Sequence, residues 1–273
     1  MLHKNRIIHL EGVLNARELG GLPVGNGRVI KHNTLIRSGK LSNMTQKDQR
    51  ELLEKYHLAK IIDLRNNNET GEYPDPCVEN VVWKQVSIFP DEQEGISRED
   101  HGMDPLERVI QRGKKFALGK GARWLLETLY AKMASDAYCI GKIKEFFDLI
   151  LEHEEGAILW HCTSGKDRTG VTGCLLLYVL GADMTVIQED YLYTNIQNTA
   201  HRTGLLQRMR DKGANEQWIH EIEVLESVKW EYMQSFLEAL GDIDLFLCEK
   251  IGITEAKKRR LIEKYTEEKK KNV

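Results

Sequence analysis

The sequence predicts an α/β fold in which helices cover both faces of a central sheet. Short apolar runs of strand length alternate along the chain with longer segments whose apolar residues recur at helical spacing. The clearest of the short runs, Ala157–Trp160, follows two helical patterns and leads into a third. With 273 residues, of which 41% are hydrophobic and 30% are charged, the chain is predicted to form one domain over residues 1–273.

In the first half of the chain, β-prone runs lie between turns rich in Gly and Asn, such as Gly25–Gly27. Thr45 is the predicted cap of a helix that continues to about Tyr56. The polar stretch from Asp91 to Gly102 is a predicted long loop. The predicted strands are residues 6–10, 28–30, 34–37, 60–64 and 81–86.

The second half of the chain is mainly helical by pattern. Helices are predicted from Gly121 and from Asp136, and Ala157–Trp160 after them has the length of a buried strand. A helix then runs from about Arg168 to Leu180, and the pattern from Met184 onward is almost wholly helical. The residues after Trp160 therefore lie at a strand-to-helix junction.

Composition and charge exclude several classes of function. Lys and Arg number 39 against 42 Asp and Glu, so no overall basic field attracts nucleic acid or anionic lipid, and recognition of anions has to be local. We expect neither an export signal nor a transmembrane segment, because no apolar run is long enough. An odd number of scattered cysteines without a CxxC pair predicts a reduced, cytoplasmic protein with no metal site. These cysteines are Cys77, Cys139, Cys162, Cys174 and Cys248.

The strand-to-helix junction carries the residues best suited to catalysis and anion binding. They are His-Cys-Thr-Ser-Gly-Lys-Asp-Arg-Thr-Gly, from position 161 to 170. A loop that enters a helix amino terminus aims several backbone N–H groups at one point, where the helix dipole favours an anion. Arg168 adds a planar fork that holds two phosphoryl oxygens. Residues 162–168, here called the phosphate loop, are thus a predicted phosphate site. Besides Arg168, we assign phosphate binding to Thr163, Ser164, Gly165, Lys166 and Thr169.

Cys162 is the predicted nucleophile of this loop. Positive surroundings favour the thiolate over the thiol, so its pKa should be depressed and its sulfur reactive at neutral pH, with attack on phosphorus giving a phosphocysteine. Thr169 is placed to offer its hydroxyl to the sulfur. His161 precedes the nucleophile by one residue, and we interpret it as a hydrogen-bonding residue that orients the loop.

The Cys-x5-Arg pattern, with His before it and Thr after it, resembles the signature of the cysteine-dependent protein tyrosine phosphatases and their dual-specificity and lipid-phosphatase relatives. Further blocks in the same order are similar to the atypical, mostly bacterial branch of that family, which includes a phosphatase with a helical lid. These blocks are Asn15–Gly21, Leu35–Gly39, Ile61–Arg65 and Gly165–Gly170, and the stretch from Gly241 to Tyr265 is also similar.

The resemblance implies a mixed, mainly parallel sheet flanked by helices, and hydrolysis of phosphate monoesters without a metal or other cofactor. The implied substrates are phosphotyrosine in proteins, with phosphoserine, phosphothreonine and phosphoinositides as further candidates. It also implies that helices within residues 184–235 form a lid over the site.

A phosphatase of this type needs a proton donor for the leaving group, and three aspartates compete for that role. Asp167 lies inside the loop beside Arg168, where the resembling enzymes carry an aspartate, and it is our first choice. Asp63 follows a buried strand and either reaches the site or fixes a neighbouring arginine. Asp91 in Phe89-Pro90-Asp91 resembles the acid loop of larger tyrosine phosphatases but lies farther upstream of Cys162 than that loop does, and it ranks third.

Two other functions compete with phosphatase activity. A catalytically silent phosphate-binding module would use the same loop, although it has no need of a thiolate. An arsenate reductase or sulfurtransferase also carries Cys-x5-Arg, but a reductase usually needs relay cysteines, and Cys174 on the loop's own helix is poorly placed for that. Arg17 and Arg37, near strand ends, are interpreted as structural pairs and not as substrate contacts.

Overall fold

A computed structural model of the chain describes residues 6–91 and 104–269. A five-stranded mixed sheet, in the order β1-β4-β7-β5-β6, lies at its centre, and only β1 runs antiparallel to its neighbour. A second, antiparallel sheet has the order β2-β3-β8. The strands are Arg17–Glu18 (β1), Pro23–Val24 (β2), Arg28–Ile30 (β3), Leu35–Ser38 (β4), Leu58–Asp63 (β5), Val82–Gln85 (β6), Ala157–His161 (β7) and Thr266–Glu268 (β8).

Helices flank the central sheet, as the sequence predicted. They are Gln46–Glu54 (α1), Asn67–Glu72 (α2), Pro105–Leu118 (α3), Gly121–Ser135 (α4), Ala137–Glu152 (α5), Asp167–Val179 (α6), Met184–Gln197 (α7), Thr199–Asp211 (α8), Glu216–Glu226 (α9), Trp230–Leu240 (α10), Ile243–Leu245 (α11) and Glu255–Tyr265 (α12), with a π-helical segment at Phe246–Ile251. Within the described residues, none of these helices is long and apolar enough to cross a membrane.

The central strand β7 divides the interior into two apolar layers. Ile158 and Trp160 point into the larger core with α4, α5, α6 and α10, whereas Ala157 and Leu159 point into a smaller core that includes residues of α1. This alternation is the period-two geometry of a strand that is buried on both faces. Parallel pairing aligns Ser38 and Asp63 with His161, so β4, β5 and β7 end at one edge of the sheet. The phosphate loop begins at that edge.

Most predicted elements are present in the structure. Thr45 caps α1 and forms a reciprocal capping box with Asp48, and Asp136 caps α5. Residues 6–10 are an exception, because they form only an isolated bridge between Ile7 and Arg17 while the Arg6 side chain turns inward to a buried ion pair. The predicted loop at 91–102 falls almost wholly outside the described residues.

Three helices form an apolar cluster of their own beside the main core, and α3, which the sequence analysis did not predict, is one of them. Together α3, α8 and α9, here called the cap, share a separate apolar cluster built on Leu206, Met209 and Ile219. The predicted lid at 184–235 overlaps the cap at α8 and α9 and also includes α7 and the first part of α10. Its α7 and α10 belong to the main core, where Tyr191 and Tyr232 are fully buried, because their apolar residues face the sheet-covering helices and not the cap.

Candidate active site

The backbone of the phosphate loop is held so that its amides point inward. The carbonyl of Thr163 accepts from the Lys40 N–H (3.0 Å), and that of Ser164 accepts from the side-chain amide of Asn15 (3.2 Å). The carbonyl of Gly165 accepts from Asn15 (2.9 Å) and from Arg37 (3.1 Å). In a trans peptide, the carbonyl and the following N–H point in opposite directions. The N–H groups of residues 164–166 therefore face the interior of the loop, where a phosphate would lie.

Gly165 is the residue that permits this turn. Its φ is +67°, in the left-handed region that favours glycine, and an added Cβ would lie 2.3 Å from the carbonyl oxygen of Ser38. Any larger side chain would push the loop away from the end of β4. The glycine thus allows the loop to pack against the sheet edge.

Cys162 lies at the base of the loop and is almost completely buried. Burial alone would raise the pKa of its thiol, but the charge of Arg168 and hydrogen bonding from Thr169 outweigh that cost and lower the pKa below its usual value. In contrast, burial raises the pKa of Cys174, on the following helix, to about 12. Of these two thiols, only Cys162 has surroundings that favour a thiolate.

Glu69, which the sequence analysis missed, fixes Arg168. Its two carboxylate oxygens accept from the two terminal nitrogens of Arg168 at 2.5 and 2.7 Å, and one of them also accepts from the Thr163 hydroxyl. Burial would raise the pKa of Glu69, but the charge of Arg168 lowers it to about 2. The carboxylate is thus ionised at neutral pH and holds the guanidinium fork beside the loop.

A capping box in the sequence could have located Glu69. Asn66 and Glu69 cap the first turn of α2 reciprocally, and this helix starts directly beyond β5, at the same sheet edge as the phosphate loop. An Asn-x-x-Glu pattern after a buried strand therefore placed a carboxylate near the loop. The sequence analysis did not use that signal.

His161 belongs to a fully buried charge cluster behind the loop. Its Nδ1 lies 3.2 Å from the carbonyl oxygen of Cys162 and its Nε2 lies 3.0 Å from Asp75. Burial would lower the pKa of His161, but Asp63 and Asp75 raise it above its usual value. Both ring nitrogens thus have an oxygen atom within 3.2 Å, and the Nδ1 contact, which reaches the peptide that carries the nucleophile, has the geometry of a hydrogen bond.

Asp63 is part of the same cluster and is engaged by Arg65. Its carboxylate accepts from Arg65 at 2.7 and 2.9 Å, and its side chain has no exposed surface. Arg65 also lies 2.9 Å from Asp75, so a guanidinium occupies the space between the two carboxylates. This placement favours the structural alternative for Asp63 and not the role of proton donor that the sequence analysis included.

Arg17 and Arg37 form a second buried cluster below the loop. Both pair with Asp190 of α7, at 3.1 and 2.7 Å, and Arg6 joins them at 3.1 Å. Burial would raise the pKa of Asp190, but the three guanidinium groups hold it well below its usual range. Arg17 also donates to Asn15, which in turn donates to the phosphate loop. These arginines support the loop, in agreement with their interpretation as structural pairs.

Asp167 lies in the first turn of α6, beside the cleft that leads to the loop. Its Oδ1 accepts from the Tyr130 hydroxyl (2.9 Å), and its Oδ2 lies 3.3 Å from the ammonium of Lys166. Its side chain is 26% exposed. Of the three competing aspartates, Asp167 is the one that lines the cleft.

Asp91 has a different neighbourhood. Its carboxylate accepts from the backbone and side-chain N–H groups of Asn67, at the amino terminus of α2. Phe89, two residues earlier, lies 5.9 Å from the guanidinium of Arg168 and lines the cleft. The Phe-Pro-Asp segment therefore brings its aromatic ring, and not its carboxylate, towards the loop.

The side chain of Lys166 does not point at the centre of the loop. Its ammonium donates to the carbonyl of Leu225 at the end of α9 and to that of Ser227 (3.3 Å), and its third near acceptor is Asp167. Three acceptors match the three N–H bonds of an ammonium. Lys166 therefore connects the phosphate loop to the cap.

A cleft of about 1250 Å³ separates the loop from the cap. Its floor consists of loop and α2 residues, and its other walls come from α3, α4, α8 and the end of α9. A phosphorylated aromatic side chain fills only part of such a space, since drug-sized ligands occupy pockets of roughly 300–1000 Å³. The cleft thus leaves room for further groups of a substrate.

Comparison with known proteins agrees with this geometry. The model of the tyrosine phosphatase family matches residues 8–267. A Cupriavidus necator protein named "Putative tyrosine-protein phosphatase" is 24% identical over 253 residues, which cover 90% of this chain and 85% of the relative. A tyrosine-protein phosphatase of Nostoc commune is 26% identical over 172 residues, covering 62% of this chain and 51% of the relative. With a family match over most of its length and a Cys-x5-Arg loop at the end of its central strand, the chain belongs to the tyrosine phosphatase family and is a phosphatase.

Proposed function

We propose that the protein hydrolyses phosphotyrosine through a phosphocysteine intermediate on Cys162. The observation that carries this proposal is the lowered pKa of Cys162 within a loop of inward-facing amides, with Arg168 held beside it. The sulfur attacks phosphorus, the S–P bond forms, and the bond to the leaving oxygen breaks. Water then attacks phosphorus and the S–P bond breaks, which gives inorganic phosphate and restores the thiolate.

The phosphate loop and its supporting residues divide this work. Arg168 and the amides of residues 164–166 hold the equatorial oxygens of the phosphoryl group most strongly in the transition state. Thr163 and Glu69 orient Arg168 through their hydrogen bonds. Thr169 stabilises the leaving thiolate, and His161 positions the loop through its bond to the Cys162 carbonyl.

Asp167 is the proposed proton donor for the leaving oxygen. The support is its position on the cleft wall in the first turn of α6, whereas Asp63 is enclosed by Arg65 and Asp91 is bound to Asn67. Tyr130 positions the carboxyl group through its hydroxyl. Proton donation matters most for leaving groups that are strong bases.

Asp167→Asn should therefore slow hydrolysis in proportion to the basicity of the leaving group. We expect a loss of kcat of about 10²-fold or more with phenyl phosphate and a much smaller loss with p-nitrophenyl phosphate. Steady-state kinetics over a series of aryl phosphates measures this dependence. Asp91→Asn is the matched control and should give the wild-type slope. Equal losses with good and poor leaving groups would remove Asp167 from the role.

The cap is the proposed lid of the site, and Lys166 is its tether. The lysine holds the carboxyl-terminal carbonyls of α9 over the phosphate loop, where the helix dipole also favours its charge. These carbonyls and Asp167 engage the ammonium fully, so direct binding of the phosphoryl group by Lys166 requires that α9 move away first.

Lys166→Met should loosen the cap. A hydrogen bond from a buried charge is worth about 1.5–3 kcal/mol, so we expect hydrogen exchange in α9 to accelerate by about tenfold or more while α5 keeps its protection. Lys142→Met, which removes an exposed lysine paired with Glu145, is the control. Unchanged exchange in α9 of the Lys166 variant would contradict the tether.

A panel of phosphate esters tests the proposed substrate class. We expect the release of phosphate from phosphotyrosine peptides to exceed that from phosphoserine and phosphothreonine peptides, because Cys162 lies deep at the loop base and the longer phosphotyrosyl side chain reaches it. Dual specificity and phosphoinositide hydrolysis are secondary activities in this proposal. A phosphoinositide turned over faster than every phosphopeptide would overturn the ranking.

A further inference from the structure

The wall of the cleft opposite the phosphate loop carries positive charge. The residues that line the cleft include eight Lys or Arg side chains and five carboxylates, although the whole chain has a net charge of -3. An excess of cations in one concave region raises the local concentration of anionic ligands. The position of the unmatched cations shows where a second anionic group of a ligand would bind.

Cations close to the loop are already engaged, Lys40 by the ring of Tyr73 at 3.3 Å and the others by acids. Arg168 pairs with Glu69, and one turn farther along α2, Glu72 pairs with Arg108 at 2.5 Å. Arg208 and Lys212 of the cap are different. Among residues 6–91 and 104–269, no carboxylate lies within 4.0 Å of the Arg208 guanidinium or of the Lys212 ammonium.

Arg208 of α8 and Lys212, the cap residue directly after that helix, share one face with His201 and Leu205. The spacing of 201, 205, 208 and 212 is that of successive turns of a helix, and all four residues line the cleft. We call His201, Arg208 and Lys212 the α8 strip. Arg210 lies on another side of the helix and pairs with Glu216 at 3.0 Å.

The α8 strip begins at the phosphate loop and leads away from it. Asn198, directly before α8, lies 3.5 Å from the Ser164 carbonyl oxygen. With a rise of 1.5 Å per residue, Lys212 lies about 21 Å along the helix from that contact, whereas the Arg208 guanidinium folds back to Gly204, about 9 Å from it. An extended peptide covers these distances in about three to six residues. A headgroup built on a single six-membered ring is too short to reach from the loop to Lys212.

We propose that the α8 strip is a subsite for acidic residues of an extended phosphotyrosine peptide whose phosphate lies in the phosphate loop. This inference rests on the proposed function and names its substrate class. The predicted recognition element is a pair of Asp or Glu side chains about three to six residues from the phosphotyrosine. Charges of this kind act mainly on the rate of association and are sensitive to salt.

The test compares two phosphotyrosine peptides that differ only at the positions three to six residues from the phosphotyrosine on both sides, with Glu in one and Gln in the other. We expect wild-type kcat/KM to favour the Glu peptide by about fivefold at low ionic strength, and this ratio to fall towards one in about 0.5 M salt. In the double variant Arg208→Gln, Lys212→Gln, the ratio should be close to one at all salt concentrations. Arg210→Gln should keep the wild-type ratio.

Three results would overturn the inference. They are a wild-type ratio of one, a double variant that keeps the wild-type ratio, and a double variant that loses activity only on a soluble inositol bisphosphate headgroup. Wild-type protein that hydrolyses neither peptide would instead contradict the proposed function. Circular dichroism and thermal unfolding of each variant verify that the exposed substitutions leave the fold intact.

Discussion

Replacement of Cys162 by Ser should abolish hydrolysis of p-nitrophenyl phosphate and of phosphotyrosine peptides. We expect a loss of about four to six orders of magnitude in kcat, because a serine hydroxyl stays protonated in surroundings that lower the pKa of the Cys162 thiol. The variant should still bind phosphate analogues, since the loop amides and Arg168 remain. Steady-state kinetics and isothermal titration with inorganic phosphate measure the two properties.

Cys174→Ala is the matched control for this variant. Cys174 lies on α6, directly after the loop, and burial raises the pKa of its thiol to about 12. The Cys174→Ala variant should keep full activity. Alkylation with iodoacetate at pH 6.5 gives an independent check. Because its pKa is lowered, a larger fraction of Cys162 than of an ordinary cysteine is thiolate at this pH, and Cys162 should react faster. Wild-type activity in Cys162→Ser would eliminate the proposed nucleophile.

Replacement of Arg168 by Lys should lower kcat by about 10²- to 10³-fold while it preserves the charge. An ammonium cannot form the bidentate hydrogen-bonded pair that Arg168 forms with Glu69. It also cannot present two parallel N–H groups to a phosphoryl group. The effect on KM should be smaller than the effect on kcat, since the guanidinium is placed for the transition state. Kinetics with p-nitrophenyl phosphate separates the two constants.

Arg108→Lys is the control for this second substitution. Arg108 lines the same cleft and pairs with Glu72, one turn from Glu69 on the same helix. It should keep kcat within about twofold, because a part-exposed ion pair of this kind contributes little. Equal losses in Arg168→Lys and Arg108→Lys would mean that general disruption of the cleft, and not phosphoryl binding, explains the effect.

Local patterns predicted the elements that build the catalytic loop. The run Ala157–Trp160 has the length and composition of a strand buried on both faces, and the loop that follows it has a helix amino terminus at its end. The mainly parallel sheet, flanked by helices, is confirmed. The alternation of strands and helices follows from periodicity and chain order, whereas the mixed, mainly parallel strand arrangement was implied by the family resemblance.

The residues that hold the loop in place could not be predicted in the same way. Asp190 and Asn15 are separated from the loop by many residues, and only tertiary packing shows that Arg17 and Arg37 connect them to it. The direction of the Lys166 side chain likewise depends on where α9 ends.

The helix α3 was missed although its start carries a signal. Asp104 accepts from two backbone N–H groups, and Pro105 occupies the first helical position. An aspartate followed by proline resembles a turn when it stands after a polar stretch, which is why the helical pattern was placed only from Gly121. The omission concealed one wall of the cleft and one member of the cap.

The most direct test of the mechanism is detection of phosphate on Cys162 during turnover. Wild-type protein is mixed with a phosphotyrosine peptide, quenched within milliseconds and digested, and the peptide that contains Cys162 is analysed by mass spectrometry. We expect a phosphorylated form of that peptide, formed as fast as the first tyrosine is released, and its absence in Cys162→Ser. Turnover without phosphate on Cys162, or with phosphate on another residue, would contradict a phosphocysteine intermediate.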